Sequence, residues 1–377
     1  MNSQHTEPRV CLVSQRNISK WAAWCSNYEF EDVICAVDDV ELLNLEAGWA
    51  LAERRRLQRA LLHRRLSKQL ARINPGLRPL KLRRDYEIFA FVCMNPQDLL
   101  YLNAVQGWKE RCKTKICYIT EVWTSWISKF DAQLSLLKDF DHIFLCFSRS
   151  VAPLSEFLGR PCHHLPLGVD VLRYTPYPRQ PARCVDVYSI GRRIPATHEA
   201  LLKLARNQEI FYMHDTILGD LIQPADYRQH RDLVANVAKR SRYFVAYPAL
   251  VGLDPSQGQP EVGARYFEGA AAGAALIGQA PANPVFNKDF DWPDAVIEIG
   301  AKEDDFREAT AKFRKDPDRL AALSRKNAVE ALRRFDWAYR WREMAETAGF
   351  ECLPGLQQRQ KHLNEVASLA GSMSMDR

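Results

Sequence analysis

The sequence predicts an α/β protein of two units, each a parallel sheet with helices on both faces. Short, continuously apolar segments alternate with amphipathic ones over residues 9–165, and the same alternation restarts at residue 184. Continuous apolar strands separated by helices are typical of parallel sheets that are buried on both faces. The length of 377 residues also exceeds one ordinary core and suits two.

The first unit is predicted to cover residues 1–165. Its strands are predicted at 9–14, 32–37, 86–93, 115–120, 142–147 and 162–165. A long helical stretch is predicted over 40–73, with shorter helices over 96–111, 125–139 and 151–159. Such crossover helices connect successive parallel strands.

Residues 166–183 are predicted to be a linker, because they contain four prolines and little helical periodicity. The second unit is predicted to cover 184–334. Its strands are predicted at 184–190, 209–214, 242–247, 274–277 and 295–299, and its helices at 196–206, 225–240, 261–272, 303–315 and 317–334. A terminal helix over 335–349 is predicted to cross back to the first unit, and the polar tail 354–377 is predicted to be mobile.

The net charge of +6 is unevenly distributed along the chain. Residues 51–84 carry +11 and the remainder carries −5. Leu62, Leu66, Leu70 and Ile73 fall on one stripe of the predicted helix, and a basic amphipathic helix over 51–73 can lie on an anionic membrane. The alternative is that the stripe packs on the sheet and the arginines form a solvated face. No nucleic-acid partner is expected, because aromatic residues do not alternate with these charges.

Several classes of protein are disfavoured by composition. No segment approaches the ~20 apolar residues of a membrane span, and the N-terminus lacks a hydrophobic signal core. Ten scattered cysteines form no CxxC pair, and nine histidines form no metal-binding pattern. The sequence therefore predicts a cytoplasmic protein with reduced thiols and no metal site.

Residues 258–278, GQPEVGARYFEGAAAGAALIG, form the most informative segment. Glu261 and Glu268 are predicted to share one face of one helix, because seven residues are close to two turns. Gly263 allows close backbone approach near its N-terminus, where free N–H groups favour a phosphate, and Arg265 adds a cation suited to phosphate. A merely solvated helix is the alternative, but the small-residue run after Glu268 indicates tight packing on a strand.

Three stretches resemble those of GT-B glycosyltransferases, particularly the group 1 (GT4-like) branch and its spore-maturation-protein (CgeB-like) relatives. The first stretch, RYFEGAAAGAALIG, resembles the family's R-x-F-E-x-x-A-x-G element. The second, LPLGVDVLRYTP at 165–176, resembles the P-x-G-V-D-x-x-x-F-x-P linker. The third, VYSIGRR at 187–193, resembles the strand that opens the donor domain. The helix FDWAYRWREM is similar to the family's terminal helix. Together they cover most of residues 142–349. The resemblance implies two Rossmann-like domains that face a cleft.

The resemblance implies a glycosyltransferase that moves a sugar from a UDP- or GDP-linked donor to an unknown acceptor, which is an envelope glycan, a lipid-linked molecule or a small molecule. It implies no cofactor, no metal and a retaining reaction. From the missing signal core and the basic helix we expect the protein in the cytoplasm or at the inner face of the membrane. The family's first motif glutamate corresponds to Pro260, so Glu261 departs from the usual E-x7-E spacing.

Residue roles follow from the same resemblance. Glu268 would bind the ribose, whose vicinal hydroxyls offer two donors. Glu261 would act at the transferred sugar, and Arg192 and Arg265 at the departing diphosphate, where negative charge develops. The nucleotide site would be completed by Gly191, Arg193, Gly263 and His214. For Arg192 and Arg193 the alternative is surface solvation.

In the first unit, polar residues follow two predicted strands and are expected to bind the acceptor. They are Gln15, Arg16 and Asn17 after the first strand, and Glu121 and Trp123 after the fourth. Trp123 is expected to stack on a sugar, with packing in an interface as the alternative. Two other functions stay open on the sequence alone: a nucleotide-sugar epimerase on the same fold, and a non-catalytic binding protein.

Overall fold

The computed structural model describes residues 7–64, 68–216, 222–253 and 258–372. The chain divides into two compact units, and both include segments from distant parts of the sequence. The first unit contains the residues up to Lys20, Asn27–Pro166 and Trp341–Leu356. The second contains Trp21–Ser26, Leu167–Arg340 and the residues from Gln357 onward.

The first unit is built on a parallel six-stranded sheet of order β2-β1-β4-β6-β7-β8, with a short parallel pair β3-β5. The strands are β1 (Val10–Ser14), β2 (Val40–Asn44), β3 (Leu80–Lys81), β4 (Tyr86–Cys93), β5 (Val105–Gln106), β6 (Cys112–Ile119), β7 (His142–Leu145) and β8 (His163–His164). The helices are α1 (Cys25–Val37), α2 (Leu51–His63), α3 (Trp108–Arg111), α4 (Thr124–Ile127), α5 (Asp131–Leu134) and α6 (Val151–Leu158). Short 3₁₀ helices occupy Lys68–Arg72, Pro96–Ala104, Ser135–Asp139 and Ser148–Ser150.

The second unit is built on a parallel five-stranded sheet of order β10-β9-β11-β12-β13. The strands are β9 (Val185–Ser189), β10 (Tyr212–His214), β11 (Ser241–Ala246), β12 (Ala275–Gly278) and β13 (Ile297–Glu298). The helices are α7 (Val171–Tyr174), α8 (Pro195–Arg206), α9 (Tyr227–Lys239), α10 (Ala264–Ala271), α11 (Pro284–Asp289), α12 (Glu303–Lys315), α13 (Pro317–Arg334), α14 (Trp337–Ala348) and α15 (Pro354–Ser372). A 3₁₀ turn at Ala22–Trp24 also belongs to this unit, and α14 begins in it.

Both sheets confirm the predicted α/β class and share one topology. In the second unit the first strand, β9, lies between the second strand, β10, and the third, β11. The order therefore reverses between β9 and β11, and the carboxyl ends of two such strands open a crevice at this topological switch point. In the first unit the same reversal falls between β1 and β4.

The prediction is wrong near the start of the first unit. The predicted strand at 32–37 is the end of α1, because the buried side chains of Phe30, Val33, Ile34 and Val37 follow a helical spacing. The predicted helix over 40–73 is also wrong as one element, since it divides into β2, α2 and a 3₁₀ turn.

The apolar stripe predicted on that helix is therefore also divided between separate elements. Leu62 is buried and Leu70 half-buried, whereas Ile73 is exposed. Leu66 lies outside the described residues. The alternative of packing on the first unit therefore holds for Leu62 and Leu70, but not for Ile73.

The tail was predicted to be mobile, and this is wrong for residues 354–372, which form α15. Leu356, Leu363, Ala367 and Ala370 are buried at helical spacing on one side of this helix. Residues 373–377 lie outside the described residues.

None of the described helices is long and apolar enough to cross a membrane.

Candidate functional site

A cavity of about 840 Å³ lies at the switch point of the second unit. Its wall combines the turn after β9, the start of α8 and the loop after β11 with side chains of α9 and α10. The lining residues are Ala22, Ala23, Ile190, Gly191, Arg192, Arg193, Ile194, Pro195, His198, Ile222, His230, Val251, Gly252, Leu253 and Arg265. A site at this place matches the rule that ligands of open α/β sheets bind beyond the carboxyl ends of the strands.

The turn after β9 requires a glycine. Gly191 has φ of +77°, a left-handed conformation that side chains with a Cβ rarely adopt. A Cβ there would also approach the Nη2 atom of Arg265 to 3.3 Å. The amide of Gly191 donates to Asp215 Oδ2 at 3.0 Å, which fixes the turn that presents Arg192 and Arg193 to the cavity.

Arg193 is held by the same aspartate. Its Nη1 atom lies 3.0 Å from Asp215 Oδ1 and donates to the Asp215 carbonyl oxygen at 2.6 Å. Arg192 is exposed on the cavity wall. The structure thus brings Gly191, Arg192, Arg193 and Arg265 together around one cavity.

A buried ionic cluster supports this wall from behind. The two carboxylate oxygens of Glu268 accept hydrogen bonds from Arg231 and Arg265. Only 2% of the Glu268 side chain and 4% of Arg231 are exposed, whereas 31% of Arg265 is exposed. Burial raises the pKa of Glu268, but Arg265 and Arg231 outweigh it, so that the pKa is lowered and the carboxylate is ionised. The carboxylate therefore holds Arg265 at the cavity edge.

The position of α10 explains how Arg265 reaches the cavity. Tyr266, Phe267 and Ala270 are buried on its inner side. A Cβ at Gly269 would clash with Leu276 and Phe244, so only glycine lets the helix approach β11 and β12 this closely.

The expectation that Glu261 and Glu268 share a helix is wrong. Helix α10 begins at Ala264, because Gly263 ahead of it has extended backbone angles. Glu261 precedes the helix and is buried, and its carboxylate accepts from Gln259 at 2.9 Å and from Asn283 at 3.2 Å. Neither Glu261 nor Gly263 is among the cavity-lining residues, so their proposed roles remain predictions.

Three histidines lie at or beside the cavity. His198 and His230 line it, and the ring of His214 lies 4.9 Å from that of His198. Burial, and then the charge of Arg193, lower the pKa of His198. Burial, and then Arg231 and Arg265, lower the pKa of His230. Both rings are therefore neutral at neutral pH and lie where an anion would favour their protonation.

The side chains of Gln15 and Arg16 do not open outward as expected. Gln15 is fully buried. Arg16 forms ion pairs with Glu31 at 2.6 Å and with Asp32 at 3.0 Å, because its guanidinium is only 9% exposed and requires compensation. Asn17 is exposed and donates weakly to Glu46 at 3.4 Å; its role remains a prediction.

The stacking expected of Trp123 is wrong for this structure. Its ring is fully buried and packs edge-on against Phe147, with centroids 4.6 Å apart, so no face is presented to a sugar. Its Nε1 donates to Glu121 Oε1 at 2.8 Å. Glu121 is half-buried, and its contact with an acceptor remains a prediction.

No group of three or more histidine, cysteine, aspartate or glutamate side chains within the described ranges is arranged to hold a metal ion.

Arg231, His230 and Asp215 are not predicted as site residues from the sequence alone. One signal was present for Arg231. It lies on the apolar stripe of α9 with Val234, Ala235 and Ala238, all of them buried. A charged residue on such a stripe requires a buried partner. His230 and Asp215 give no comparable signal, because a polar residue at a helix start or a strand end is ordinary.

Comparisons with known proteins agree with this architecture. Residues 192–346 match the model of a glycosyl transferase-like family. No curated protein matches the chain.

Two solved structures illustrate the fold. The structure of HepE (Alr3699) from Anabaena in complex with UDP-glucose is 12% identical, with a TM-score of 0.51, and the match covers 90% of this chain and 99% of that one. An alpha-glucosyltransferase in complex with UDP-glucose and DNA containing an abasic site is 10% identical, with a TM-score of 0.56, and the match covers 91% of this chain and all of that one.

The matched family region contains Arg192, Arg193 and Arg265 of the cavity, together with the ionic cluster behind them. The two tandem parallel sheets are those of the GT-B fold. The narrower resemblance to CgeB-like proteins remains a prediction. Residues 192–346 thus match a glycosyl transferase-like family, and the chain has the GT-B fold.

Proposed function

We propose that the protein transfers a glycosyl group from a UDP-sugar to a hydroxyl acceptor, with the donor diphosphate bound in the cavity beside β9 and β11. The observation on which this depends is the convergence of Arg192, Arg193 and Arg265 on one cavity at the switch point. UDP is favoured over GDP because the two solved neighbours contain UDP-glucose.

The charges of the cavity suit a diphosphate. Arg193 pairs with Asp215, and both Arg231 and Arg265 pair with Glu268, so three guanidinium groups meet two carboxylates in these pairs. Arg192 adds a further cation to the cavity wall. The N-terminus of α8 adds a partial positive charge at the same wall, through Ile194 and Pro195.

The reaction increases the negative charge that these groups face. The bond between the anomeric carbon and the diphosphate oxygen breaks, a bond from the acceptor oxygen forms, and the hydroxyl proton is released. One additional negative charge then resides on the departing UDP. Fixed guanidinium groups stabilise such a charge without reorganising. We therefore propose that Arg265 and Arg193 supply this stabilisation in a metal-independent reaction.

The geometry supports a positioning role for Glu268. Its oxygens already accept from Arg231 and Arg265, so it fixes the guanidinium that meets the diphosphate. Contact of Glu268 with the ribose, which the family resemblance implies, remains part of the proposal. So does retention of the anomeric configuration, which proton NMR of the first product formed would decide.

Calorimetric titration with UDP-glucose tests the donor site. Arg265→Ala and Arg193→Ala are each expected to weaken binding by about 10- to 100-fold, the usual worth of a hydrogen bond to a charged group. Arg333→Ala is the matched control, because this arginine is exposed on α13 and does not line the cavity. Wild-type protein that binds no UDP-sugar, or variants that bind like wild type, would refute the proposal.

The same preparation tests the alternative of an epimerase. Incubation with UDP-glucose in the absence of an acceptor is expected to leave the sugar configuration at every ring carbon unchanged. Formation of an epimer would contradict a glycosyl transfer reaction.

Binding of UDP-glucose is expected to tighten as the pH falls from about 8 to about 6. His198 and His230 have lowered pKa values in the free protein, and the bound diphosphate should raise them. Protons are then taken up on binding, so lower pH favours the complex, by about threefold to tenfold over this range. The diphosphate of UDP-glucose is fully ionised throughout, so the ligand contributes no proton.

Calorimetry in buffers of different ionisation enthalpy measures this proton uptake directly. The double variant His198→Gln and His230→Gln is expected to abolish it. His362→Gln is the control, because His362 lies on α15 and is 59% exposed. A binding enthalpy of the wild type that does not depend on the buffer would contradict the prediction.

A further inference from the structure

Three large apolar side chains are exposed in neighbouring segments of the first unit. Trp49 is 100% exposed, Leu57 is 61% exposed and Ile73 is 53% exposed. A tryptophan with its whole surface in water is unusual in a folded protein, because its burial is strongly favourable.

Backbone contacts bring the segments of these three residues together. The amide of Gly48, next to Trp49, donates to the carbonyl of Gly76 at 3.0 Å. The Gln58 side chain, next to Leu57, donates to the carbonyl of Ile73 at 2.9 Å. The loop before α2, the helix α2 and residues 73–76 therefore lie side by side at the surface of the first unit.

The same surface is strongly basic. Arg54, Arg56, Arg59 and Arg64 are exposed, and none of them has a carboxylate within 4 Å in the described part of the chain. Lys68 and Arg72 are different, because they pair with Asp131 and Asp139. We call the four arginines with Trp49, Leu57 and Ile73 the arginine–tryptophan surface.

The outer side of α2 explains the mixture of residues. Leu51, Gln58 and Leu62 recur at helical spacing on its inner side, with Gln58 and Leu62 buried. The opposite side therefore contains Arg56, Leu57 and Arg64 together. Apolar and cationic groups share the solvent-facing side of this helix, rather than being separated between its two sides.

We propose that the arginine–tryptophan surface docks the enzyme on an anionic phospholipid bilayer. Arginines are attracted to anionic headgroups, while tryptophan and leucine side chains leave water at the boundary of the acyl chains. The membrane would place a lipid-linked acceptor near the enzyme, although the docking does not depend on the proposed donor site.

The apolar members of the surface favour a bilayer over nucleic acid. Binding of nucleic acid draws its affinity from phosphate contacts and from aromatic stacking on bases. Burial of Leu57 and Ile73 against phosphates would gain nothing, whereas a bilayer removes them from water. A nucleic-acid partner is therefore an outcome of the test rather than part of the proposal.

Flotation of the full chain with vesicles tests this inference. Binding is expected to vesicles of phosphatidylcholine with about one third phosphatidylglycerol, to weaken steeply with added salt, and to be absent on phosphatidylcholine alone. The variant Trp49→Ala with Leu57→Ala, and separately Arg54→Glu with Arg56→Glu, should each lower the partition coefficient by about tenfold or more.

Matched controls come from the second unit. Leu233→Ala replaces a leucine that is 60% exposed, and Arg333→Glu reverses an exposed charge on α13. Both should bind vesicles like the wild type, and all variants should melt within a few degrees of it. Wild-type protein that binds duplex or single-stranded oligonucleotides but not anionic vesicles would overturn the proposal. So would surface variants that float as well as the controls. Calorimetry with UDP-glucose reports separately on the donor site.

Discussion

Replacing Glu268 by alanine is expected to lower the free energy of unfolding by about 3–5 kcal/mol, the usual cost of removing one partner of a buried ion pair. The variant leaves Arg231, only 4% exposed, as a buried charge without its carboxylate. Arg265 contributes less to this cost, because 31% of its side chain already reaches water. Donor binding should weaken as well, because Arg265 is no longer held at the cavity.

Two readouts separate the structural effect from the loss of function. Urea denaturation gives the stability, and calorimetry with UDP-glucose below the melting transition gives the affinity. In the double variant Arg231→Met with Glu268→Met, the buried charges are removed together, so most of the stability should return. Donor affinity should remain low in that variant, because Arg265 still lacks its carboxylate.

Glu308→Ala is the control for Glu268→Ala. Glu308 is exposed on α12, and the change should alter stability by less than about 0.5 kcal/mol. A Glu268→Ala protein as stable as this control would show that Glu268 does not neutralise a buried arginine. A stable Arg231→Met, Glu268→Met protein with normal donor affinity would instead remove Glu268 from the donor site.

Helix α10 contributes both to the packing of the second unit and to the cavity. Helix α10 presses Gly269 against β11 and β12, and four residues earlier it presents Arg265 to the cavity. Tight packing fixes the helix, and Glu268 fixes the guanidinium. Preorganised charge of this kind requires rigid support, since a misplaced cation stabilises a departing diphosphate less.

Much of the fold could be predicted from the sequence where local and global signals agree. The strand 86–93 and the helices 303–315 and 317–334 have the bounds expected for them. Strand 86–93 is apolar except at Glu87 and lies inside its sheet. Both helices begin with acidic or proline residues and end with basic ones. Their termini are therefore marked by the sequence itself.

The prediction is wrong where a short apolar run fits the periodicity of both a strand and a helix. In α1, Val33, Ile34 and Val37 suit a strand when they are considered alone, and only the buried Tyr28 and Phe30 upstream reveal a helix. In α15, polar residues outnumber apolar ones, so the buried stripe is sparse. Its partner surface comes from distant residues that periodicity does not report.

Only part of the site could be predicted, because some of its residues act through contacts with distant parts of the sequence. Arg193 and Arg265 follow recognisable local signals, a glycine turn after a strand and a motif on a helix. Arg231 and Asp215 act through contacts with residues 22–37 positions away in the sequence. Such pairings follow from topology and have no local signature, apart from the charge of Arg231 on an apolar stripe.

The second large effect is expected at Arg359, on α15, in the segment that the sequence predicts to be mobile. Asp336 is fully buried and accepts from Val171 N–H at 3.0 Å, from Ala338 N–H at 2.9 Å and from Arg359 at 2.8 Å. Arg359 also donates to Asp170 at 2.7 Å. One guanidinium therefore joins the linker helix α7, the start of α14 and α15 within the second unit.

Arg359→Met is expected to lower the free energy of unfolding by about 3 kcal/mol, because Asp336 keeps its charge in a buried site and loses its cation. For a unit of this size the melting temperature should fall by about 6–12 °C in calorimetry. Lys361→Ala is the control, because Lys361 is 80% exposed and its nearest carboxylate is 3.9 Å away.

Deletion of residues 354–377 should destabilise at least as much as Arg359→Met, since it removes the same cation and the buried face of α15. A truncated protein that melts like the wild type would show that α15 adds nothing to the fold. Arg359→Met melting like Lys361→Ala would show that Asp336 is satisfied by its two backbone donors alone.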